Sequence, residues 1–360
     1  MNRTACVSKR RNILMGITIT VALVIFEPMM ASCAAQREPQ RQTETRVLLG
    51  TVVSVTTYGD VARDVFDEVF DRVAEIESKM SVSREDYDTT ELLTVNDAAG
   101  VEPVVVSPDT YYVVEQALHY SYLTDGAFNV AIEPLVRLWG IGTNRAAVPS
   151  AEQLEAAVAE IDYRRVVMEP TNHTIYLSEE GMGLDVGGIA KGYAADEVAR
   201  ILTGHGVEHA LLDFGGNVVV VGTKVDGSDW RIGIQNPDPD ASRGAFIGVL
   251  PATDLAIVTS GPYERYFIED GVRYHHILDS TTGYPVWNGL QSVTIVNDKS
   301  ITADVLSTAV LSMGLTDGMS FVESHDGVEA IFIDEDNMVY VSSGLAGLFV
   351  LTDDNYRLAE

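Results

Sequence analysis

Residues 184–206 read LDVGGIAKGYAADEVARILTGHG. An apolar, strand-like end meets paired glycines, and a run of helix formers follows that should stop near Gly204. What comes next decides the fold class. HALLDF, NVVVVG, WRIGIQ, FIGVL, LAIVTS, RYFIE, YHHIL and SVTIVN succeed one another at hairpin spacing, with no helical stretch between them. A doubly wound α/β chain would alternate strand and helix, so this order points to an α+β fold with mostly antiparallel sheets flanked by helices.

The flanking sequence agrees. Upstream, LLGTVVSVTTYG (48–59) has strand character. Between 61 and 80, Val61, Val65, Val69, Val73 and Ile76 recur at helical spacing with charges between them. Ser107-Pro108 opens a second helix over 107–126, and Ser150 with Gln153 forms capping-box spacing for a third over 150–161. RVVMEPTNHTIYLS reads as a hairpin, ITADVLSTAVLSMG (301–314) as a helix, and the tail as short strands.

The N-terminus is of another kind. Arg3, Lys9, Arg10 and Arg11 precede the 14-residue apolar run ILMGITITVALVIF (13–26), short for a bilayer span but suited to a signal-peptide core. MMASC then ends at Cys33 in a relaxed lipobox, with Met30 where Leu is usual. This predicts a lipoprotein signal over 1–32, a lipidated Cys33, a polar tether over 33–46 and a folded domain over 47–360. A plain secretory signal and an uncleaved anchor are the alternatives. With Cys6 in the discarded part, the mature chain holds one cysteine, which excludes an internal disulfide and cysteine-based redox or metal chemistry. The chain carries 53 acids against 24 Lys and Arg. Such a surface argues against nucleic acid or an anionic membrane face as partner, so a lipid anchor would hold it at the membrane.

Three segments carry chemistry. In the 184–206 turn, Gly187 and Gly188 let an anion approach the backbone amides that open a helix, and Lys191 offers a charge. The segment lacks the GxxxxGK[ST] pattern of a Walker loop, and a tight turn with a surface lysine is the bland alternative. Asp304 and Thr308 stand at i and i+4, so their oxygens share one helix face, a hard-oxygen pair suited to Mg²⁺ or Ca²⁺. A helical Asp near an N-terminus and a Thr bonding back to its own helix would look the same. In RYHHILDSTTGYP (273–285), His275 and His276 are neighbours on an extended chain and point to opposite faces. They do not readily share one ion, which weakens a zinc reading and leaves one histidine free to face a pocket.

Taken in order, TDGAFNVAIEPLVRLWGIG, LDVGGIAKGYAADEVA, LLDFGGNVVVVG, WRIGIQNP, TSGPYERYF, YHHILDSTTGYP and ITADVLSTAVLSMG resemble the ApbE-type flavin transferases, from about Leu49 to the C-terminus. That family moves FMN from FAD onto a protein Ser or Thr and holds FAD in a cleft between two lobes, with Mg²⁺ at the diphosphate. The resemblance implies metal ligation by the main chain of Ala190 and by Asp304 and Thr308, with Ser307 beside them. It implies flavin contacts from Leu49 in the LGT strand, Ala127, Phe128, Asn129, Asp185, Gly187, Lys191, Tyr193 and Leu278. It makes His276 the base, with Asp279 as its support, and puts His275 on the other face.

Three departures stand out. Ser280 replaces the usual Pro, and Pro262 a common Asp. Ser83 sits where many members carry a Tyr stacked on the flavin, a loss worth roughly 1–3 kcal/mol of binding by analogy with base stacking. The implied activity is a Mg²⁺-dependent FAD:protein FMN transferase outside the cytoplasmic membrane, acting on exported redox proteins with a Ser/Thr motif. FAD hydrolysis to FMN and AMP is a companion activity. A non-catalytic FAD-storage lipoprotein is the reading from another class, and a structural surface lipoprotein the third.

Overall fold

A computed structural model describes residues 40–242 and 244–359. The expected signal peptide and the Cys33 lipidation site lie outside the described residues. The chain opens with β1 (Arg41–Leu48), β2 (Thr51–Tyr58), α1 (Arg63–Met80), α2 (Glu91–Asp97), β3 (Val104–Val105) and α3 (Pro108–Leu123). It continues with α4 (Glu133–Trp139), α5 (Ala151–Glu160), β4 (Val166–Glu169), β5 (Thr174–Leu177) and α6 (Ala190–Gly204). Seven strands follow: β6 (Ala210–Phe214), β7 (Asn217–Val221), β8 (Trp230–Gln235), β9 (Phe246–Ala252), β10 (Ala256–Ser260), β11 (Tyr266–Glu269) and β12 (Val272–His275). The last elements are β13 (Leu290–Asn297), α7 (Ser300–Glu323), β14 (Glu329–Asp334), β15 (Met338–Val341), β16 (Val350–Leu351) and β17 (Arg357–Leu358).

Among the described residues the main sheet has nine strands in the order β1-β2-β6-β7-β10-β13-β14-β15-β17. All its pairings are antiparallel except β15 with β17. Its central strands are buried at most positions because both faces are covered, although β13 places Ser292 and Thr294 among its buried residues. In β14, Ala330 and Phe332 enter the core shared with α1, α6 and α7, while Ile331 and Ile333 enter a second core with β8 and β9. Val219 and Val220 of β7 divide the same way. Antiparallel strands buried on both faces lose the polar alternation that marks a one-sided sheet.

Two boundaries differ from the sequence expectation. Residues 41–46, read as tether, form most of β1 and pair with β2 along its whole length, Arg41 opposite Tyr58. Their alternating half-exposed pattern, RQTETR, has the polarity of a linker and also of an edge strand. Leu49 is not in a strand: it heads the β1–β2 turn at φ 53°, followed by Gly50 at φ 66°. Both central residues are left-handed, as a two-residue hairpin turn matching strand twist requires.

The helices that frame the site are tied to each other. Asp196 of α6 accepts from Ser300 N at 2.8 Å and Ile301 N at 2.9 Å, so it caps α7 in place of a local side chain. Gly192 lies so near that an added Cβ would sit 2.7 Å from Ile301 Cα. The helix expected over 301–314 breaks at Gly314 (φ 81°, ψ 179°) and resumes to Glu323. Residues 107–126 and 150–161 yield α3 and α5, with Ser107 and Ser150 as caps and the Ser150/Gln153 box formed in both directions. Helices α2 and α4 were not anticipated as helices by the sequence pattern.

Candidate active site

A cavity of about 460 Å³ opens where the β1–β2 turn, the 126–129 turn, α4, the glycine turn before α6, the end of β10, the segment after β12 and one face of α7 converge. Each contribution has a local cause. Thr124 Oγ1 accepts from Phe128 N and Asn129 Oδ1 accepts from Ala131 N, which sets the 124–129 turn. Asp185 Oδ1 accepts from Gly187 N at 2.7 Å, closing the turn that presents Gly187 and Gly188. An added Cβ on Gly188 would press on the Phe128 ring at 3.1 Å and lie 3.7 Å from Thr308 Oγ1, so this backbone runs between two cavity residues. Burial pushes the Asp185 carboxyl up, against the pull of the Gly187 N–H.

At the polar end, Asp304 is almost wholly buried and both carboxylate oxygens are engaged. Lys191 Nζ donates to Oδ1 at 2.8 Å, and Gly192 N donates to Oδ2 at 2.8 Å. Ser307 Oγ donates to the Asp304 carbonyl at 2.8 Å and lies 2.7 Å from Ser260 Oγ. Thr308 Oγ1 faces the same Ser260 at the longer 3.5 Å. The oxygens of Asp304 and Thr308 thus line the cavity, while the Ser307 hydroxyl is spent within the protein. Among the described residues no cluster of three His, Cys, Asp or Glu suits a metal. A hard cation here would draw on one carboxylate, hydroxyls and main chain, a donor set that fits Mg²⁺ with ligand phosphates and water. Lys191 holds Asp304 Oδ1 in the present arrangement.

The two histidines part as extended geometry requires. His275 is fully buried. Its Nε2 lies 2.9 Å from the Val286 carbonyl, and its Nδ1 accepts from Ile277 N at 3.3 Å. A carbonyl only accepts, so Nε2 carries the proton and the ring is neutral. Burial lowers its pKa to about 4. His276 lines the cavity. Its backbone N and its Nδ1 both point to the Arg265 carbonyl, at 3.1 and 3.2 Å. Nδ1 therefore holds the proton and Nε2 is left as a lone-pair acceptor. Burial, then the neighbouring Arg265, lowers its pKa to about 3, so it is neutral near pH 7.

Of the expected positions, Leu49, Ala127, Phe128, Asn129, Asp185, Gly187, Lys191, His276, Leu278, Asp304 and Thr308 come together around the cavity. Four do not line it. Tyr193 turns away: its hydroxyl donates to Asp109 Oδ1 at 2.6 Å, in a network where Arg72 bridges Asp109 and Glu197. Ser83 bonds Asp86 in a turn after α1. Ala190 is buried at the head of α6, and Ser307 is buried as described. Asp279 is not a support for His276, since its oxygens accept from Thr281 N and Thr282 Oγ1 within their own turn. The Arg265 carbonyl takes that place. Sequence reasoning missed Ile132, Val136, Trp139 and Ile141, which form an apolar end to the cavity. The signal was present in EPLVRLW, where Pro134 marks a helix start, but the helix is only seven residues long.

These features coincide with a known family. The chain belongs to the ApbE family, whose model matches residues 49–332. It is 35% identical over 346 residues to an FAD:protein FMN transferase of Treponema pallidum, covering 91% of this chain and 94% of that one. It is 36% identical over 315 residues to the FAD:protein FMN transferase of Klebsiella pneumoniae, covering 87% and 96%. Among solved structures, the ApbE protein of Thermotoga maritima superposes with a TM-score of 0.78 at 33% identity, over 86% of this chain and 99% of that one. The flavin transferase ApbE of Vibrio cholerae does so at 0.76 and 31%, with the same coverage.

Proposed function

We propose that this protein is an FAD:protein FMN transferase that joins FMN through a phosphoester to a Ser or Thr of an acceptor protein. The observation that carries the reading is His276: a neutral imidazole whose Nδ1 is tied to a carbonyl, with Nε2 left as an acceptor on the cavity that Asp304, Thr308 and Lys191 also line. His276 Nε2 takes the proton of the acceptor hydroxyl, and the hydroxyl oxygen attacks the FMN phosphorus. The diphosphate P–O bond breaks and AMP leaves. The glycine turn at 187–188, whose Gly187 amide is held by Asp185, lets the phosphates come close to the main chain, and the Lys191 ammonium adds charge. Asp304 and Thr308 would hold Mg²⁺, which when bound offsets diphosphate charge. Ala190, at the head of α6, is the proposed main-chain donor.

The acceptors in this reading are exported or membrane-bound redox proteins, and Cys33 carries a lipid that anchors the enzyme outside the cytoplasmic membrane. The basic segment, the apolar run and the MMASC motif support that location. Water in place of the hydroxyl gives FMN and AMP, an FAD diphosphatase activity of the same site.

The test incubates residues 34–360 with FAD and Mg²⁺, with and without a Thr-bearing acceptor domain, and follows AMP, free FMN and acceptor-bound flavin. AMP matched by covalent flavin supports the transferase. AMP matched only by free FMN makes it chiefly a hydrolase. Bound FAD with no AMP in any tube leaves a flavin carrier and sinks the enzyme reading.

A further inference from the structure

Two cations line the cavity, and they differ in one respect. Lys191 is paired with Asp304 at 2.8 Å. Arg265 has no ion pair and no side-chain hydrogen bond among the described residues, although acids outnumber Lys and Arg by 53 to 24. Several arginines are taken up, Arg72 by Asp109, Arg46 by Asp67 and Arg200 by Glu197; Arg41, Arg231, Arg273 and Arg357 are also without an ion pair among the described residues, but of these arginines Arg265 alone lines the cavity. The cavity carboxyls Asp185 and Glu264 both feel the Arg265 charge, yet neither bridges to it.

The stem of Arg265 runs past the turn at Gly142. Its Cδ lies 3.8 Å from where a Cβ of Gly142 would be, against the turn that carries the cavity residue Ile141. Its carbonyl receives both the backbone N and the ring Nδ1 of His276. One residue therefore presents an unpaired guanidinium to the cavity and holds the base at its edge. A planar guanidinium suits the paired oxygens of a phosphate better than any other side chain does.

We propose that the Arg265 guanidinium binds a phosphate of the dinucleotide substrate, beside the base whose ring its own carbonyl holds. The inference rests on the flavin-transfer reading. Arg265, Lys191 and the ring of His275 all disfavour a proton on His276 in the absence of ligand. A bound phosphate offsets the Arg265 charge that it contacts, while Lys191 already faces Asp304. The imidazole then becomes a competent base when the substrate is in place, and stays a poor one when it is absent.

The experiment compares the full chain with Arg265→Gln and Arg265→Lys. Inorganic pyrophosphate binding is read by calorimetry, and AMP release from FAD by steady-state kinetics across pH. The guanidinium is exposed, so the variants should fold, and thermal unfolding checks this. Loss of a charged hydrogen-bonding partner should weaken pyrophosphate and raise KM for FAD by roughly 10- to 100-fold, with partial rescue in the Lys variant. The acid limb of kcat/KM should move to higher pH in the Gln variant, which a merely structural role would not produce. An Arg265→Gln enzyme with unchanged pyrophosphate affinity, KM and pH profile overturns the proposal. Pyrophosphate binding that is lost in Arg265→Gln, with no AMP from wild-type protein even when an acceptor domain is present, upholds the anion contact and overturns the transferase reading instead.

Discussion

Lys191 Nζ stands 2.8 Å from Asp304 Oδ1, across the α6–α7 junction, while the amide of the next residue, Gly192, holds Oδ2. One carboxylate thus joins two helices and faces the cavity with the rest of the polar end. Asp304→Asn keeps the shape and one acceptor but removes the charge. The expected result is a stability loss of about 1–3 kcal/mol, from a weakened buried hydrogen-bond set. AMP release should fall far more steeply than that loss explains. Chemical denaturation and a turnover assay at saturating FAD check the pair.

His275 and His276 should fail in different assays. His276→Gln should lower kcat by roughly 10²–10⁴-fold with FAD binding and thermal midpoint little changed, as expected for loss of a base. His275→Gln removes a buried ring that bonds the Val286 carbonyl and Ile277 N. It should cost about 1–3 kcal/mol of stability and leave the chemistry of folded enzyme near wild type. Reversal of the two outcomes would exchange their roles.

Acid should loosen the fold through His275. Its folded pKa, about 4, lies below the ordinary 6.5, so the unfolded chain takes up the proton first as pH falls. The stability contributed by the neutral ring is complete above 6.5 and is lost progressively as pH drops through 4. The drop from 6.5 to about 4 corresponds to roughly 3 kcal/mol. Urea midpoints between pH 7 and 4 should fall less in His275→Gln than in wild type, measured from each protein's own value at pH 7.

Gly192→Ala tests the closeness of α6 and α7. The new Cβ would lie 2.7 Å from Ile301 Cα, a contact with backbone that no side-chain rotation relieves. Overpacking of this kind costs typically about 1–3 kcal/mol. Because Gly192 N also holds Asp304 Oδ2, turnover should fall with stability. A thermal midpoint equal to wild type would show that the helices separate freely.

Much of the site was legible before the fold, for a physical reason in each case. The i, i+4 spacing of Asp304 and Thr308 places them on one face wherever that helix lies. Period-two geometry separates His275 from His276 on any strand. Capping chemistry at Ser107 and Ser150 is local and formed as the spacing implied. Ser83 and Asp279 went otherwise because each found a partner in its own turn, Asp86 and the 281–282 segment, while Tyr193 was drawn to Asp109, 84 residues away, by a tertiary contact.

Local spacing along the chain therefore determined the α+β class, most of the elements and which residues could share a face. The tertiary structure decided which of those faces meet. Arg265 and His276 are eleven residues apart, and Lys191 and Asp304 more than a hundred. The first meeting continues the register of the β11–β12 hairpin, set by its two-residue turn at Asp270 and Gly271, and the second depends on how closely α6 packs on α7. That closeness is a long-range packing outcome, set by the burial of two apolar cores on a shared sheet, and no local period encodes it.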